Sequence, residues 1–324
     1  MFYRSILETE RNISKIVIND ENGTFNLDTK KLSQIFQLFG MTLKHLEMRD
    51  CHISDKELVD ILHDVPNLKS LILNNTDVTD AAYDAICKLS SLKTLELNLD
   101  TVSRDEIHKL SNLLQLTDLN IDCDNNNEKK QIQELSLIEN PKLLKLVMTA
   151  AIRGEDIIKI MENNPSLRIV NIKDYSKIKL SVQDFVNQIS HLEELKFSAY
   201  DVIFQEPVNG RAVEFPTNPQ LKILFLGFTI QEELLSNLIL SYPNLEKVTL
   251  SFPVTTNILI KKILQSLPKL KYLLLHNCDT ITVEIFDYIK QYGLNLQRIC
   301  LSNNKINVEE IENFVKYLGR PLEF

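Results

Sequence analysis

A leucine returns along this chain at near-regular intervals: Leu43, Leu68, Leu92, Leu116, Leu143, Leu167, Leu192, Leu221, Leu245, Leu270 and Leu296, each 24 to 29 residues after the last. Around each runs the same short phrase, clearest from Leu68 to Val78 as L-x-x-L-x-L-x-x-T-x-V. A degenerate twelfth copy, Ile13-x-x-Ile16-x-Ile18, precedes them. A period of this length means that each repeat is one supersecondary element, unable to bury its apolar side alone, which must stack on its neighbours. The chain of 324 residues therefore reads as one elongated solenoid whose stability is a sum over adjacent interfaces.

Each repeat has the same anatomy. A short strand, such as Leu46-Glu47-Met48, alternates apolar and polar positions. A helix start follows: Ser54-Asp55-Lys56-Glu57 has capping-box spacing before Leu58, Ile61, Leu62 and Val65, and Ser103-Arg104-Asp105-Glu106 has it before Ile107, Leu110 and Leu114. Further helices are expected to start near Glu155, Val182, Gln231, Thr256, Val283 and Val308. Prolines 66, 165, 243 and 268 stop helices at the same place in their repeats. Repeats with a strand inside and a full helix outside must curve. The expected fold is an α/β horseshoe of about 11–12 repeats, with a parallel sheet on the concave face and helices on the convex one. Residues 1–42 form an N-terminal capping unit, with helical spacing from Leu27 to Phe39, and 43–324 the repeats, closed by a cap helix at 307–318. Two stretches break the period. Cys123 to Pro141 carries the polar run Asp124 to Lys130 and then a short amphipathic stretch. The insertion near 200–219 lacks helical periodicity, and Pro207, Asn209-Gly210, Pro216 and Pro219 mark it as a loop, with a hairpin candidate at Asn209-Gly210.

The signature is that of leucine-rich repeats. H-L-E-M-R-D-C-H-I-S-D-K-E-L around Cys51, and Leu273 to Thr282 around Cys278, resemble the cysteine-containing, ribonuclease-inhibitor-like type found in F-box/leucine-rich-repeat proteins. The resemblance covers roughly residues 13 to 318. It implies the substrate-receptor portion of an F-box-type (cullin-RING) ubiquitin ligase, with a stand-alone inhibitor or scaffold resembling ribonuclease inhibitor as the alternative. The chain departs from the pattern at strand ends, where only Cys51, Cys278 and Asn304 fit. Thr76, Asp100, Asp124 and Thr229 could still bond the turn, Ala151 and Pro253 could not, and Tyr175 and Tyr200 fit poorly. No F-box is found. Phe2 to Leu7 resembles the segment just downstream of one, so an adaptor contact requires an F-box upstream.

A net charge of −8 argues against coating nucleic acid, which needs a basic stripe. Charged residues in Met1 to Glu8 come too early for a signal-peptide core, and no apolar run is long enough to span a membrane. Five scattered cysteines (51, 87, 123, 278 and 300) without CxxC pairs suit a reducing compartment, cytoplasmic or nuclear. That reading outweighs chance glycosylation matches at Asn12, Asn22 and Asn74.

Catalytic signals are missing, and no cofactor or metal is expected. The seven glycines form no phosphate-binding motif, and His45, His52, His63, His108, His191 and His276 sit in different repeats or outside metal-ligand spacing. His191 takes the pre-strand place of Asn67 and Asn244, a structural duty. Cys51, Cys123 and Cys278 read as buried thiols, whereas Cys300 should face the concave side.

Strand alternation places one set of side chains on the concave face. Early repeats bring Glu47, Glu96, Asp118 and Asp122; later ones bring Lys145, Lys173, Lys196, Lys247 and Arg298. Ile223, Phe225, Tyr272 and Leu274 fall within three consecutive rungs, a span of about 10 Å at strand spacing. The expected site is therefore a non-enzymatic protein-recognition patch. Phe225 and Tyr272 act as anchors with Ile223, Leu274 and His276, while Lys196, Lys247 and Arg298 select an acidic or phosphorylated protein partner.

Overall fold

The computed structural model describes residues 13–19, 29–74, 76, 78–123, 133–174, 176–205, 212–251, 256–302, 305–319 and 321–323. Expectations placed on 1–12, Asn22, the Leu27 helix start, Asn75, the run 124–130, Tyr175, Pro207, Asn209-Gly210, Pro253 and Asn304 lie outside the described residues. The chain divides into two compact units. The first comprises Met1–Ala150 with Lys159–Ser166, and the second comprises Ala151–Ile158 with Leu167–Phe324.

In the first unit, β1 (Lys15–Asn19), β2 (His45–Arg49), β3 (Ser70–Asn74), β4 (Thr94–Asn98), β5 (Asp118–Cys123) and β6 (Lys145–Ala150) pair in sequence order, all parallel. Register puts Leu46, Leu71, Leu95, Leu119 and Leu146 side by side on the buried face. Parallel neighbours need a crossover, and these crossovers are the repeat's helices. Helix Thr29–Phe39 buries Leu32, Ile35 and Phe36, as its spacing predicts. Helix Asp55–Asp64 carries the full capping box between Ser54 and Glu57 and buries Leu58, Ile61 and Leu62.

The crossover between β4 and β5 differs from expectation. Residues Arg104–Asn112 wind as a 3-10 helix, and Ser103 makes no side-chain cap bond. Three residues per turn line up Ile107, Leu110 and Leu113, all buried, and leave Leu114 on the surface. A second 3-10 helix, Gln133–Leu137, occupies the short stretch before Pro141.

The second unit repeats the scheme with β7 (Ile169–Lys173), β9 (Glu194–Ser198), β11 (Ile223–Gly227), β12 (Lys247–Leu250), β13 (Tyr272–His276) and β14 (Arg298–Ser302), again parallel and in order. Val170, Leu195, Leu224, Val248, Leu273 and Ile299 form its buried row. The final helix, Val308–Leu318, begins with a capping box from Asn307 to Glu310 and ends at left-handed Gly319. Its Phe314 stacks on Phe286 at 4.3 Å.

The insertion near 200–219 is not loop throughout. Asp201–Gln205 is a strand, β10, paired in parallel with β8 (Lys177–Ser181) as a separate two-stranded sheet. Phe204 packs on Phe185 of helix Val182–Ile189 and on Phe228, and those two rings both meet Phe197. Further on, Gln183 of the same helix bonds the Glu214 backbone twice, at 2.8 and 2.9 Å. The described part of the insertion therefore lies on the helix side.

Three strand ends share one local solution. Cys51 and Cys278 each come after a left-handed residue, Asp50 (φ 53°) and Asn277 (φ 55°). Their thiols donate to the carbonyls of Arg49 and His276 at 3.1 and 3.2 Å. Thr76 reaches the Asn74 carbonyl in the same way. Asp100 instead accepts from the side chain of Asn98. All five cysteines are free thiols, four buried and Cys300 half-exposed.

Candidate functional site

The open face of the second unit's long run of strands is set by register. Its first row reads Ile169, Glu194, Ile223, Lys247, Tyr272, Arg298; its second reads Asn171, Lys196, Phe225, Thr249, Leu274, Cys300. The alternation thus points the expected recognition residues to one side. Ile223 flanks Lys247, which flanks Tyr272, which flanks Arg298. Phe225 and Leu274 stand either side of Thr249.

Thr249 departs from the expected open position: only 6% of it is accessible. A short side chain between two larger ones, on strands about 4.8 Å away, is shaded by them. It forms the floor between Phe225 and Leu274. Phe225 itself is half-buried, because its ring lies along the strand over Gly227. A Cβ at Gly227 would sit 3.0 Å from the ring tip and 2.7 Å from Ser198 Oγ, so glycine is what lets the ring lie down. Tyr272 is the most exposed of the four apolar residues, at 37%, and its hydroxyl donates to Gln297 Oε1 at 3.2 Å.

The basic residues divide. Lys196 is held by Glu194 at 2.5 Å, so its charge is largely spent within the sheet. Lys247 and Arg298 have no carboxylate within ion-pair distance among the described residues. His276 and Ser302, in the third row of neighbouring strands, are hydrogen-bonded through Nδ1 and Oγ. His191 has its Nε2 buried without a partner, and burial, then the charge of Arg168, pushes its pKa down.

On the open face of the first unit's strands, Glu47 pairs with Arg49 at 2.5 Å, and Asn74 donates to Glu96 at 3.1 Å. Asp118 and Asp122 follow on β5, and Lys145 on β6. Among the described residues, no group of three His, Cys, Asp or Glu side chains could hold a metal ion. Nor is any helix there long and apolar enough to cross a membrane.

Alternation along the strands finds the two rows but passes over residues one position before each strand, such as Gln297, which accepts the Tyr272 hydroxyl. The signal for them is the residue after each repeat leucine: Lys222, Glu246, Lys271 and Gln297.

No family model matches the chain, and no curated protein matches it. Solved structures do. An internalin (inlF) from Listeria monocytogenes is similar at 14% identity with a TM-score of 0.55, over 96% of this chain and 87% of that one. TLR13 in complex with ssRNA13 is similar at 14% identity with a TM-score of 0.52, over 97% of this chain and 51% of that one, so the chain spans about half of TLR13's length there. The shared feature is the fold: the chain is an α/β leucine-rich-repeat solenoid.

Proposed function

We propose that the chain is a non-enzymatic protein-recognition module that captures its partner on the open face of the strands of the second unit, β11 to β14. The observation that carries this reading is the apolar cluster of Ile223, Phe225, Tyr272 and Leu274 left at the surface, two strands from one another, with Lys247 and Arg298 beside it. Covering the remaining surface of such side chains yields part of the about 1.5–3 kcal/mol that full burial gives each, so a clustered set suits a partner that covers it. The described part of the neighbouring insertion packs against helix Val182–Ile189.

Within that reading, the cysteine-ended turns at Cys51 and Cys278 favour the ribonuclease-inhibitor-like repeat type, and with it the substrate-receptor part of an F-box-type ubiquitin ligase in the cytoplasm or nucleus. A stand-alone inhibitor or scaffold is the alternative. The RNA ligand is TLR13's own; here the charge of −8 favours a protein partner.

The double variant Phe225→Ala with Tyr272→Ala is expected to lose partner capture, because it removes both aromatic anchors. Affinity purification of both forms with mass spectrometry, alongside circular dichroism, checks it. Folded variant protein with the wild-type profile of co-purifying proteins would remove the patch from consideration. Cullin-ligase subunits in the wild-type profile would separate the receptor reading from the scaffold one.

A further inference from the structure

At the start of the second unit's last strands lies a shallow groove lined by Glu246, Pro268, Lys269, Lys271, Asn295 and Gln297. Asn295 donates its amide to the Pro268 carbonyl at 2.7 Å, which fixes one wall. Lys271 pairs with Glu246 at 2.6 Å across the groove. The Glu246 carboxyl is held below its ordinary range, first by that hydrogen bond and then by the charges of Lys271, Lys222 and Lys269. One carboxylate thus sits among three lysines. Lys247 and Arg298 lie one residue further along their strands, and the Tyr272 hydroxyl reaches Gln297 in the groove wall. The groove and the apolar patch are therefore one continuous surface. Its positive charge is local, in a chain of net charge −8.

We propose that this rim takes an acidic segment of the partner, with carboxylates spread over Lys222, Lys247, Lys269 and Arg298 while apolar side chains of the same segment rest on Phe225, Tyr272 and Leu274. The proposal rests on the recognition reading above and adds the chemistry and placement of the ligand. Spread is the deciding feature. From β11 to β14 the cations cover three strand intervals, about 14 Å, too far for one phosphate group to bridge. Successive acidic side chains of an extended segment can reach across it. Toward β9 the charges of Arg168, Glu193, Glu194 and Lys196 cancel, so the acidic part of the segment belongs over β11 to β14. Charge matching of this kind acts mainly on association rate and choice of partner.

The test is selection of random peptides displayed on phage against the full chain. Selected sequences are then made as fluorescent peptides and titrated against the wild type, Lys247→Glu with Arg298→Glu, and Phe225→Ala with Tyr272→Ala. The expected result is enrichment of Asp and Glu beside aromatic or aliphatic residues, with binding weakened about tenfold or more by charge reversal and by added salt. Enrichment of basic or uncharged peptides, failure to enrich any, or an affinity indifferent to charge reversal would overturn the proposal. Tighter binding after the carboxylates are replaced by one phosphoserine would do so too. Loss in the Phe225/Tyr272 variant alone would leave the recognition reading standing without the acidic ligand; loss in neither variant would remove both.

Discussion

Gly154 has no room for a side chain. A Cβ built there would sit 1.9 Å from the backbone oxygen of Lys179 on β8, and a backbone atom cannot rotate aside. Gly154→Ala must therefore push the two-stranded sheet outward, and overpacking of this kind costs about 1–3 kcal/mol. A urea titration should show a lower midpoint with an unchanged slope, and a midpoint equal to the wild type's would mean that the contact yields freely. Such a constraint is invisible in sequence, because Gly154 lies where a helix start is expected and glycine is ordinary near helix ends. Other residues were only partly legible. Alternation placed Ile223, Phe225, Tyr272 and Leu274 on the open face, but not the shading of Thr249, which depends on side chains from neighbouring strands. Asn140, Asn164 and Asn218 are fully buried yet match no apolar pattern. Each donates its side-chain amide to a backbone carbonyl of the preceding repeat, at 2.7 to 2.9 Å, satisfying a group that would otherwise be unpaired. The available signal is an asparagine three residues before Leu143, Leu167 and Leu221.

Between neighbouring helix starts runs a ladder of side-chain bonds. Asp55 accepts from Thr79, Asp80 accepts from the Ser103 amide and hydroxyl at 2.6 and 2.5 Å, and Glu232 accepts from Thr256 at 2.7 Å. The bonds from the Ser103 side chain and then its backbone hold the Asp80 carboxyl below its ordinary pKa. A depressed folded-state pKa contributes stability above the unfolded value, near about 3.9 for Asp, and that contribution is lost as pH falls through the folded value. Asp80→Asn should therefore lower Tm at neutral pH, and the gap to wild type should close below about pH 4. Thermal melts across that range check it; a gap independent of pH would mean that Asp80 acts through shape and not charge. Elements were legible where the period is long. The starts at Val182, Gln231, Thr256 and Val308 fall within a residue of the helices observed. The strands β8 and β10 were not, because five residues of K-I-K-L-S or D-V-I-F-Q are too short a run to settle the period, and Pro207 and Asn209-Gly210 follow D-V-I-F-Q closely. What fixes β10 is the packing of Phe204 on the rings of Phe185 and Phe228, a contact that only the fold brings together.

Stacked repeats touch chiefly their neighbours, so damage should stay local. In the first compact unit, Leu95 is fully buried on β4, in register with Leu71 on β3 and Leu119 on β5. Leu95→Ala removes a buried side chain from a close-packed row at a cost of about 2–5 kcal/mol. Because β1 and β2 meet other partners, their own packing is untouched by the cavity. Hydrogen exchange followed by mass spectrometry should then show protection falling most on β3, β4 and β5 and least on β1. A uniform loss across the unit would instead indicate one cooperative body in which the repeat is a pattern of sequence and not of energy. The same logic bears on recognition. If binding on β11 to β14 depends only on its own strands, Leu95→Ala should leave the affinity of a bound peptide unchanged under conditions where both units are folded. The placement of the site within one run of rungs would then be a property of local stacking, written into the period of the leucines.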